Sequence, residues 1–285
     1  MPPKFIKFHG FGNDYIVIES GELAGVSDLG AFAQRICNRH YGAGADGIAV
    51  VGPSDSADFH VRIFNPDGSE ASLSGNGTRC AAAYLHYKKL WIAKELRLST
   101  RAGVKLYTLQ KDDGEGRYEF DSELGQPKFA PGSIPMISEE PLDKIVDYRL
   151  DLGDGSIRVT ALQMGNPNCC IFVDDFDSLD WRQIGRRIEK HEQFPDRTNV
   201  VFVRVEDRST IELRIWERGV GETKASGTCS CAAAVAAMVK GETERRVDVL
   251  MPGGWAKIHW RADDEVVITG TAEVVYAGEW LNVAD

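Results

Sequence analysis

The sequence predicts an α/β (α+β) protein built as two similar lobes, and three observations carry that prediction. One stretch occurs twice: Arg62-Ile63-Phe64, a glycine loop with Glu70, then Ser74-Gly75; and Arg214-Ile215-Trp216, a glycine loop with Glu222, then Ser226-Gly227. Arg62 aligns with Arg214, Glu70 with Glu222 and Ser74 with Ser226 without a gap, and each Ser-Gly opens a run that reaches Ala-Ala-Ala. The order of strands and helices around that stretch also repeats in the second half, the mark of an internal duplication. Finally, residues 122–147 hold Pro127, Pro131, Pro135 and Pro141 among Gly and Ser, a composition that interrupts regular structure. Together these place one lobe at 1–128 and a second at 129–271. The strand in 272–285 has no counterpart and is expected to return to the first lobe. Equivalent loops would then meet across a cleft.

Taken in order, Lys4 to Phe8 alternates as a strand, His9 to Asp14 is a turn-rich loop, and Tyr15 to Glu19 is a second strand. Asp28 to Arg39 has helical spacing, with Leu29, Phe32, Ala33 and Ile36 on one face and Asp28 as N-cap. After the loop Tyr41 to Gly47 come strands Ile48 to Val51 and Phe59 to Asn65, then a helix over Gly75 to Lys88. Leu96 to Thr100, Gly103 to Leu109 and Tyr118 to Phe120 read as hairpin strands. The second half repeats this. Strands Tyr148 to Leu152 and Ile157 to Met164 precede the loop Gly165-Asn166-Pro167-Asn168 and strand Cys169 to Val173. A helix Leu179 to His191, strands Thr198 to Val205 and Ile211 to Glu217, and a helix to Lys240 follow. Val247 to Met251, Ala256 to Trp260, Val266 to Ile268 and Ala272 to Tyr276 complete the strands. Gly12-Asn13 falls opposite Gly165-Asn166, one residue out of register, and Asp46-Gly47 opposite Thr198-Asn199.

The 285 residues are 43% hydrophobic and 27% charged, which suits an ordinary soluble protein. With 33 Lys plus Arg against 43 Asp plus Glu, the net charge of -10 argues against a general nucleic-acid or membrane partner. A small anionic substrate remains compatible, because a local site can be positive on an acidic protein. The first residues, MPPKFIKFHGFGNDY, contain neither a secretory signal nor a membrane span. Cys37, Cys80, Cys169, Cys170, Cys229 and Cys231 form no disulfide framework, so a reduced, cytoplasmic setting is expected. Cys229-x-Cys231 has no nearby His or second Cys pair, so buried thiols and no metal are expected.

The chemistry begins at the two helix starts. At Ser74-Gly75-Asn76-Gly77 and Ser226-Gly227-Thr228, glycine lets a ligand approach the backbone, and the first helical amides lack intrahelical partners. Such an end binds carboxylate or phosphate. Capping is the plain reading of either serine alone, but two symmetric copies flanked by Asn and Glu favour a binding site. Asn13, Asn65, Asn166 and Asn199 lie beside strand ends or glycines. With Glu217 and Arg218 they form a set suited to a zwitterion: Asn for neutral hydrogen bonds, Arg for carboxylate, Glu for ammonium. Gly10-Phe11-Gly12 is too little for a dinucleotide loop and no GK[ST] loop exists, which leaves a cofactor-free enzyme or a binding protein.

FHGFGNDY, GADG, RIFNPDGSE, the GNGTRC run, MGNP, RTNVVFV and ERGVGET with its A-x-GT helix start resemble the diaminopimelate epimerases over essentially the full length. The resemblance implies a cofactor-independent epimerase converting LL- to meso-diaminopimelate, on a route to lysine and peptidoglycan precursors. The family fold it implies is two pseudo-symmetric lobes, each a sheet wrapped around a central helix. It places the reacting α-carboxylate on the backbone N–H groups of Gly75, Asn76, Gly227 and Thr228. The distal end of the small zwitterionic substrate would meet Asn65, Asn166, Asn199, Glu217 and Arg218, with Asn13 lining the pocket. Tyr276 matches a tyrosine of the family's homodimer contact.

The departures fall at the centre of the chemistry. The family's two cysteines, which exchange the α-proton, belong at the positions of Ser74 and Ser226. A thiol near pKa ~8.5 is a workable base, whereas an alkoxide is hard to form. The family's usual His of the MGNPH loop is Asn168 here, a usual Gln is Gly47, and the assisting Glu remains as Glu217. Three readings follow: an epimerase whose catalytic cysteines have been exchanged to leave an inactive form; a divergent amino-acid racemase or single-base isomerase using Glu217; or a non-catalytic amino-acid binder.

Overall fold

A computed structural model describes residues 2–138 and 142–281. Pro141 of the proline-rich run, and the last residues of the 272–285 segment, lie outside the described residues. The chain forms two compact units, residues 1–122 with 270–285, and residues 123–269. The division falls six residues before the boundary expected at 128/129, because the proline-rich run belongs to the second unit. Ile134 and Met136, in the middle of that run, are buried in its core.

The first unit starts with β1 (Lys4–Gly10) and β2 (Asn13–Glu19), followed by α1 (Leu29–Cys37), β3 (Gly47–Gly52), β4 (Phe59–Phe64) and the two-residue β5 (Glu70–Ala71). Next come α2 (Gly75–Tyr87), β6 (Glu95–Thr100), β7 (Gly103–Asp112) and β8 (Arg117–Gly125), which runs on across the unit boundary. The loop expected over His9 to Asp14 shrinks to Phe11-Gly12. Gly10 pairs with Asn13, and both turn residues take positive φ, 58° and 77°. That is the two-residue hairpin turn whose twist matches its strands.

The strands β2 and β3 are apolar on both faces because helices lie on both sides. Val17, Ala49, Val51 and Ile63 point to α2, while their neighbours Ile16, Ile18, Ile48 and Val50 point to α1, whose Phe32, Ala33 and Ile36 cover them. Helix α2 is buried from Gly77 to Leu85, and its three alanines let the strands approach closely. Asp28 caps α1 through Ala31 N, as the sequence predicts.

The second unit repeats the plan with β9 (Ile145–Asp151), β10 (Ser156–Met164), β11 (Asn166–Phe172), α3 (Trp181–Glu189), β12 (Asn199–Asp207), β13 (Thr210–Glu217) and β14 (Gly221–Thr223). Then follow α4 (Gly227–Val239), β15 (Arg246–Met251), β16 (Gly254–Trp260) and β17 (Val266–Glu279). Two expectations are corrected here. Asn166 to Asn168 are strand rather than loop, since Met164 pairs directly with Asn166 and only Gly165 turns. The two strands expected at Val266 to Ile268 and Ala272 to Tyr276 are one continuous strand, β17, whose last part pairs with β1 in the first unit.

The duplication holds at the level of pairing register. Ile48 faces Phe64 as Val200 faces Trp216, and Phe64 faces Glu70 as Trp216 faces Glu222. In the parallel pairs, Tyr15 lies beside Gly47 as Asn168 lies beside Asn199. The α4 core, Cys229 to Ala237, is buried all round, and no helix among the described residues is long and apolar enough to cross a membrane.

Candidate active site

Each unit carries one of the two predicted helix starts, at the opening of its buried helix. In the first unit Ser74 is extended and its Oγ accepts the Gly77 N–H at 3.1 Å, so it caps α2. Its carbonyl takes both the backbone N–H (2.9 Å) and the hydroxyl (2.6 Å) of Thr78. The N–H groups of Gly75 and Asn76 lie in the first turn of α2 and have no intrahelical acceptor, a helix end that favours an anion. A Cβ at Gly75 would meet nothing within 4 Å, which marks open space over those amides.

A side-chain chain fixes the rim. Arg79 Nη2 donates to Asn76 Oδ1, Asn76 Nδ2 to Asn13 Oδ1 (3.1 Å), and Asn13 Nδ2 to Asp46 Oδ2 (2.8 Å). Asp46 and Asp14 are bridged by Arg39, and Lys7 sits 2.7 Å from Asp14. Burial alone would raise the Asp14 carboxyl, but its contacts with Arg39, Lys7 and Asp46 hold it well below the usual carboxylate range. Arg79 is 2% exposed. It lies over the Phe11 ring at 4.9 Å and donates through Nε to Thr271 O at 2.9 Å. Burial pulls its pKa down, which weakens none of its donor geometry. Asn65 lies at the end of β4 and spends its amide N–H on Ser69 Oγ at 3.0 Å.

The second half-site differs at its centre. Ser226 occupies the N-cap backbone position of α4 but, unlike Ser74, makes no capping bond. Its hydroxyl donates instead to Glu217 Oε2 at 3.1 Å, with Thr228 Oγ1 at 3.4 Å. The hydroxyl proton goes to the carboxylate in a charge-assisted bond, and no helix N–H reaches Oγ. Thr223 Oγ1 holds the other oxygen of Glu217 at 2.7 Å. Ser230 repeats the role of Thr78, giving its N–H (3.0 Å) and hydroxyl (2.6 Å) to Ser226 O. Gly227 and Thr228 thus present free first-turn amides like those of the first unit.

Around this start, Asn168 is 0% exposed and uses its amide internally. Its Nδ2 donates to Asn166 O (2.7 Å) and Oδ1 (3.1 Å), and its Oδ1 accepts from Asn199 Nδ2 at 3.2 Å. Asn199 Oδ1 in turn accepts the Arg218 N–H at 2.9 Å, and Arg218 Nη1 donates to Asp196 O at 3.0 Å. Residues 166, 168, 199 and 218 therefore form one hydrogen-bonded group, and Glu217, next to Arg218 in the chain, bonds the helix start. The two aligned Arg–Glu pairs of the repeat do not behave alike: Arg62 binds Glu70 bidentately, whereas Arg214 pairs with Glu212 and Glu222 with Arg182.

Four residues escaped sequence reasoning. Tyr15 places its hydroxyl 2.8 Å from Ser74 Oγ. Arg79 and Asp46 anchor the Asn76–Asn13 chain, and Glu189 holds the 217–221 turn through Gly219 N and Trp216 Nε1, both at 2.9 Å. Tyr15 was findable, since it is one strand register from the noted Gly12-Asn13 pair. The others depend on contacts between distant residues. All six cysteines are buried, and burial pushes Cys37 and Cys80 to about 12 and Cys229 well above the ordinary thiol value. Tyr276, exposed at its ring, donates its hydroxyl to Ala43 O at 2.9 Å.

The sequence matches the family profile described as diaminopimelate epimerase over residues 5–129 and 160–275. It is 42% identical over 277 residues to a diaminopimelate epimerase of Pelotomaculum thermopropionicum, covering 97% of this chain and 98% of that protein. Identity to a diaminopimelate epimerase of Desulforudis audaxviator is 41% over 279 residues, covering 98% and 99%. Among solved structures, a Bacillus anthracis phenazine biosynthesis protein of the PhzF family superposes with a TM-score of 0.70 at 15% identity, covering 99% of both chains. A methylitaconate-delta-isomerase gives 0.64 at 15% identity, covering 100% of this chain and 97% of that one. At such identities these two share the fold.

Proposed function

Because the chain belongs to the diaminopimelate epimerase family of isomerases, we propose that it binds diaminopimelate and, with hydroxyls at both proton-transfer positions, epimerises it poorly or not at all. In this reading the free amides of Gly75, Asn76, Gly227 and Thr228 take the reacting α-carboxylate. Asn65, Asn166, Asn199, Glu217 and Arg218 take the distal end, and Asn13 lines the pocket. No cofactor is required, since α-proton exchange needs one group to remove a proton and another to return it.

The observation that carries the reading is the contrast between a kept binding group and exchanged reactive atoms. Asn166, Asn199 and Arg218 match the resemblance and are bonded to one another through Asn168, itself a departure, while Ser74 and Ser226 stand where the resemblance places thiols. A serine hydroxyl without a strong base beside it gives almost no alkoxide at neutral pH. Asn168 has no basic atom to help. The second reading, a single-base isomerase, is favoured by the Ser226–Glu217 bond, which points a carboxylate at the α4 start. A homodimer through the Tyr276 strand belongs to the same proposal, and sedimentation of the chain beside a Tyr276→Ala variant tests it.

Exchange of the diaminopimelate α-proton in heavy water separates the readings. Exchange by the Ser74→Cys plus Ser226→Cys chain, and little by the chain as it stands, is the expected result. Comparable exchange by the unaltered chain, abolished by Glu217→Gln, moves the assignment to the single-base isomerase. Binding with no exchange in either leaves only the amino-acid binder.

A further inference from the structure

The two half-sites are not chemically equivalent. In the second, the Ser226 hydroxyl is committed to a carboxylate. In the first, Ser74 Oγ accepts the Gly77 N–H and lies 2.8 Å from the hydroxyl of Tyr15, a side chain 59 residues away that is 5% exposed. Either hydroxyl could donate across this distance, and burial of the phenol favours Tyr15. Were Ser74 the donor, the Tyr15 proton would be left in a buried pocket, where an unmade hydrogen bond costs about 1–3 kcal/mol. With Tyr15 as donor, both lone pairs of Ser74 Oγ are filled and its own proton is free to point outward.

The surrounding residues are built to admit that ring. A Cβ at Gly47 would stand 2.7 Å from Tyr15 Cε1, and one at Gly77 would stand 2.8 Å from the same atom. The pairing register makes Asn168 and Asn199 the second unit's equivalents of Tyr15 and Gly47. Cys229 follows Ser226 by three residues as Gly77 follows Ser74. The large residue stands among two glycines in one unit, and a smaller one among two side-chain-bearing residues in the other.

Resting on the isomerase reading above, we propose that Tyr15 is a positioning residue that makes Ser74 the group that returns the proton whenever the α4 side removes one. Burial pushes the Tyr15 phenol up to about 12, so it keeps its proton at neutral pH. Protonation of the substrate carbanion then runs in two linked transfers. Ser74 Oγ gives its proton to the α-carbon, forming the C–H bond, while Tyr15 gives its proton to Ser74 Oγ. The charge ends on a phenolate instead of the less stable alkoxide, and solvent protonates it once product has left. In the opposite direction the same pair runs backwards, Ser74 Oγ taking the α-proton as its own proton passes to the Tyr15 phenolate, so Tyr15 serves both directions.

The test compares Tyr15→Phe in two backgrounds, Ser226→Cys alone and Ser226→Cys with Ser74→Cys, using kcat and KM for LL- and meso-diaminopimelate. With only the α4 thiol present, proton return relies on Ser74 and Tyr15. Removal of the phenol oxygen is then expected to lower kcat by about tenfold or more with KM little changed. With a thiol also at position 74, which donates unaided, the loss is expected to be at least several-fold smaller. Equal losses in both backgrounds make Tyr15 a packing residue and overturn the proposal. So does a Ser226→Cys chain that is inert while the double variant turns over, because the hydroxyl pair then fails to donate. An inert double variant instead removes the isomerase reading on which the proposal rests.

Discussion

Glu189 is the residue whose removal most directly tests how the second half-site is held. It is 4% exposed and ends α3, where the helix dipole disfavours a negative charge. Three contacts offset this: Trp216 Nε1 and Gly219 N, each at 2.9 Å, and Arg197 at 3.6 Å. Glu189→Ala removes two hydrogen bonds to a charged acceptor and strands a buried indole N–H, so the loss should be about 3–5 kcal/mol. Glu189→Gln keeps the shape and one acceptor, and should lose about 1–2 kcal/mol. Urea unfolding followed by circular dichroism gives the free energies, and hydrogen exchange of the 210–223 segment reports whether the Gly219 amide is released. The sign with pH is fixed. Burial alone raises the Glu189 carboxyl, but its bonds to Trp216 and Gly219 and the charge of Arg197 bring it below its ordinary value. Its contribution is therefore complete above the unfolded value near 4.3 and is lost as pH falls through the lower folded value. The gap between the unaltered chain and Glu189→Gln should narrow on acidification from pH 6 to pH 3. A loss under about 1 kcal/mol for Glu189→Ala, with Gly219 still protected, would refute the anchoring role, because unmade buried bonds cannot be that cheap.

Two further outcomes follow from packing. Gly77→Ala sets a Cβ 2.8 Å from Tyr15 Cε1 and 2.9 Å from Ile63 Cδ1, and should destabilise the first unit by about 1–3 kcal/mol; thermal melting of the variant, and a smaller loss from Gly77→Ala when Tyr15 is already Ala, check this. The native chain should react with less than one equivalent of a disulfide thiol reagent at pH 8, and all 6 cysteines should react after unfolding in guanidinium, because every thiol is buried; prompt reaction of one thiol in the native state contradicts the structure.

Much of the fold was readable because duplication repeats a local pattern at constant spacing. Ser74 and Ser226 supplied that spacing, and Ile48–Phe64 and Val200–Trp216 show the same register beneath it. The continuity of β17 was not readable. Gly270 looks like a strand break, yet it is required where the Arg79 guanidinium lies 2.8 Å from where a Cβ would stand. The site was legible as a set of residues but not as bonds. Ser226 reads as a cap in the same way as Ser74, and only the approach of Glu217, set by β13 and β14, turns its hydroxyl away from the helix. Tyr15 reads as one aromatic in an apolar strand; its function depends on the absence of side chains at positions 47 and 77, which lie far along the chain.

The return of β17 to β1 also sets an order of assembly on the ribosome. The second unit is one uninterrupted segment, 123–269, and can close as soon as it emerges. The first unit is synthesised earlier but cannot close. Until 270–285 follow, β1 lacks its partner along Lys4 to His9, Arg79 lacks the Thr271 carbonyl, and Phe32 lacks the Trp280 ring. A nascent chain therefore holds its first-made half open while its later half matures, with a bare strand edge exposed throughout. Stop codons or fusions near the carboxyl end should harm the amino-terminal half first, the half whose own codons they leave untouched.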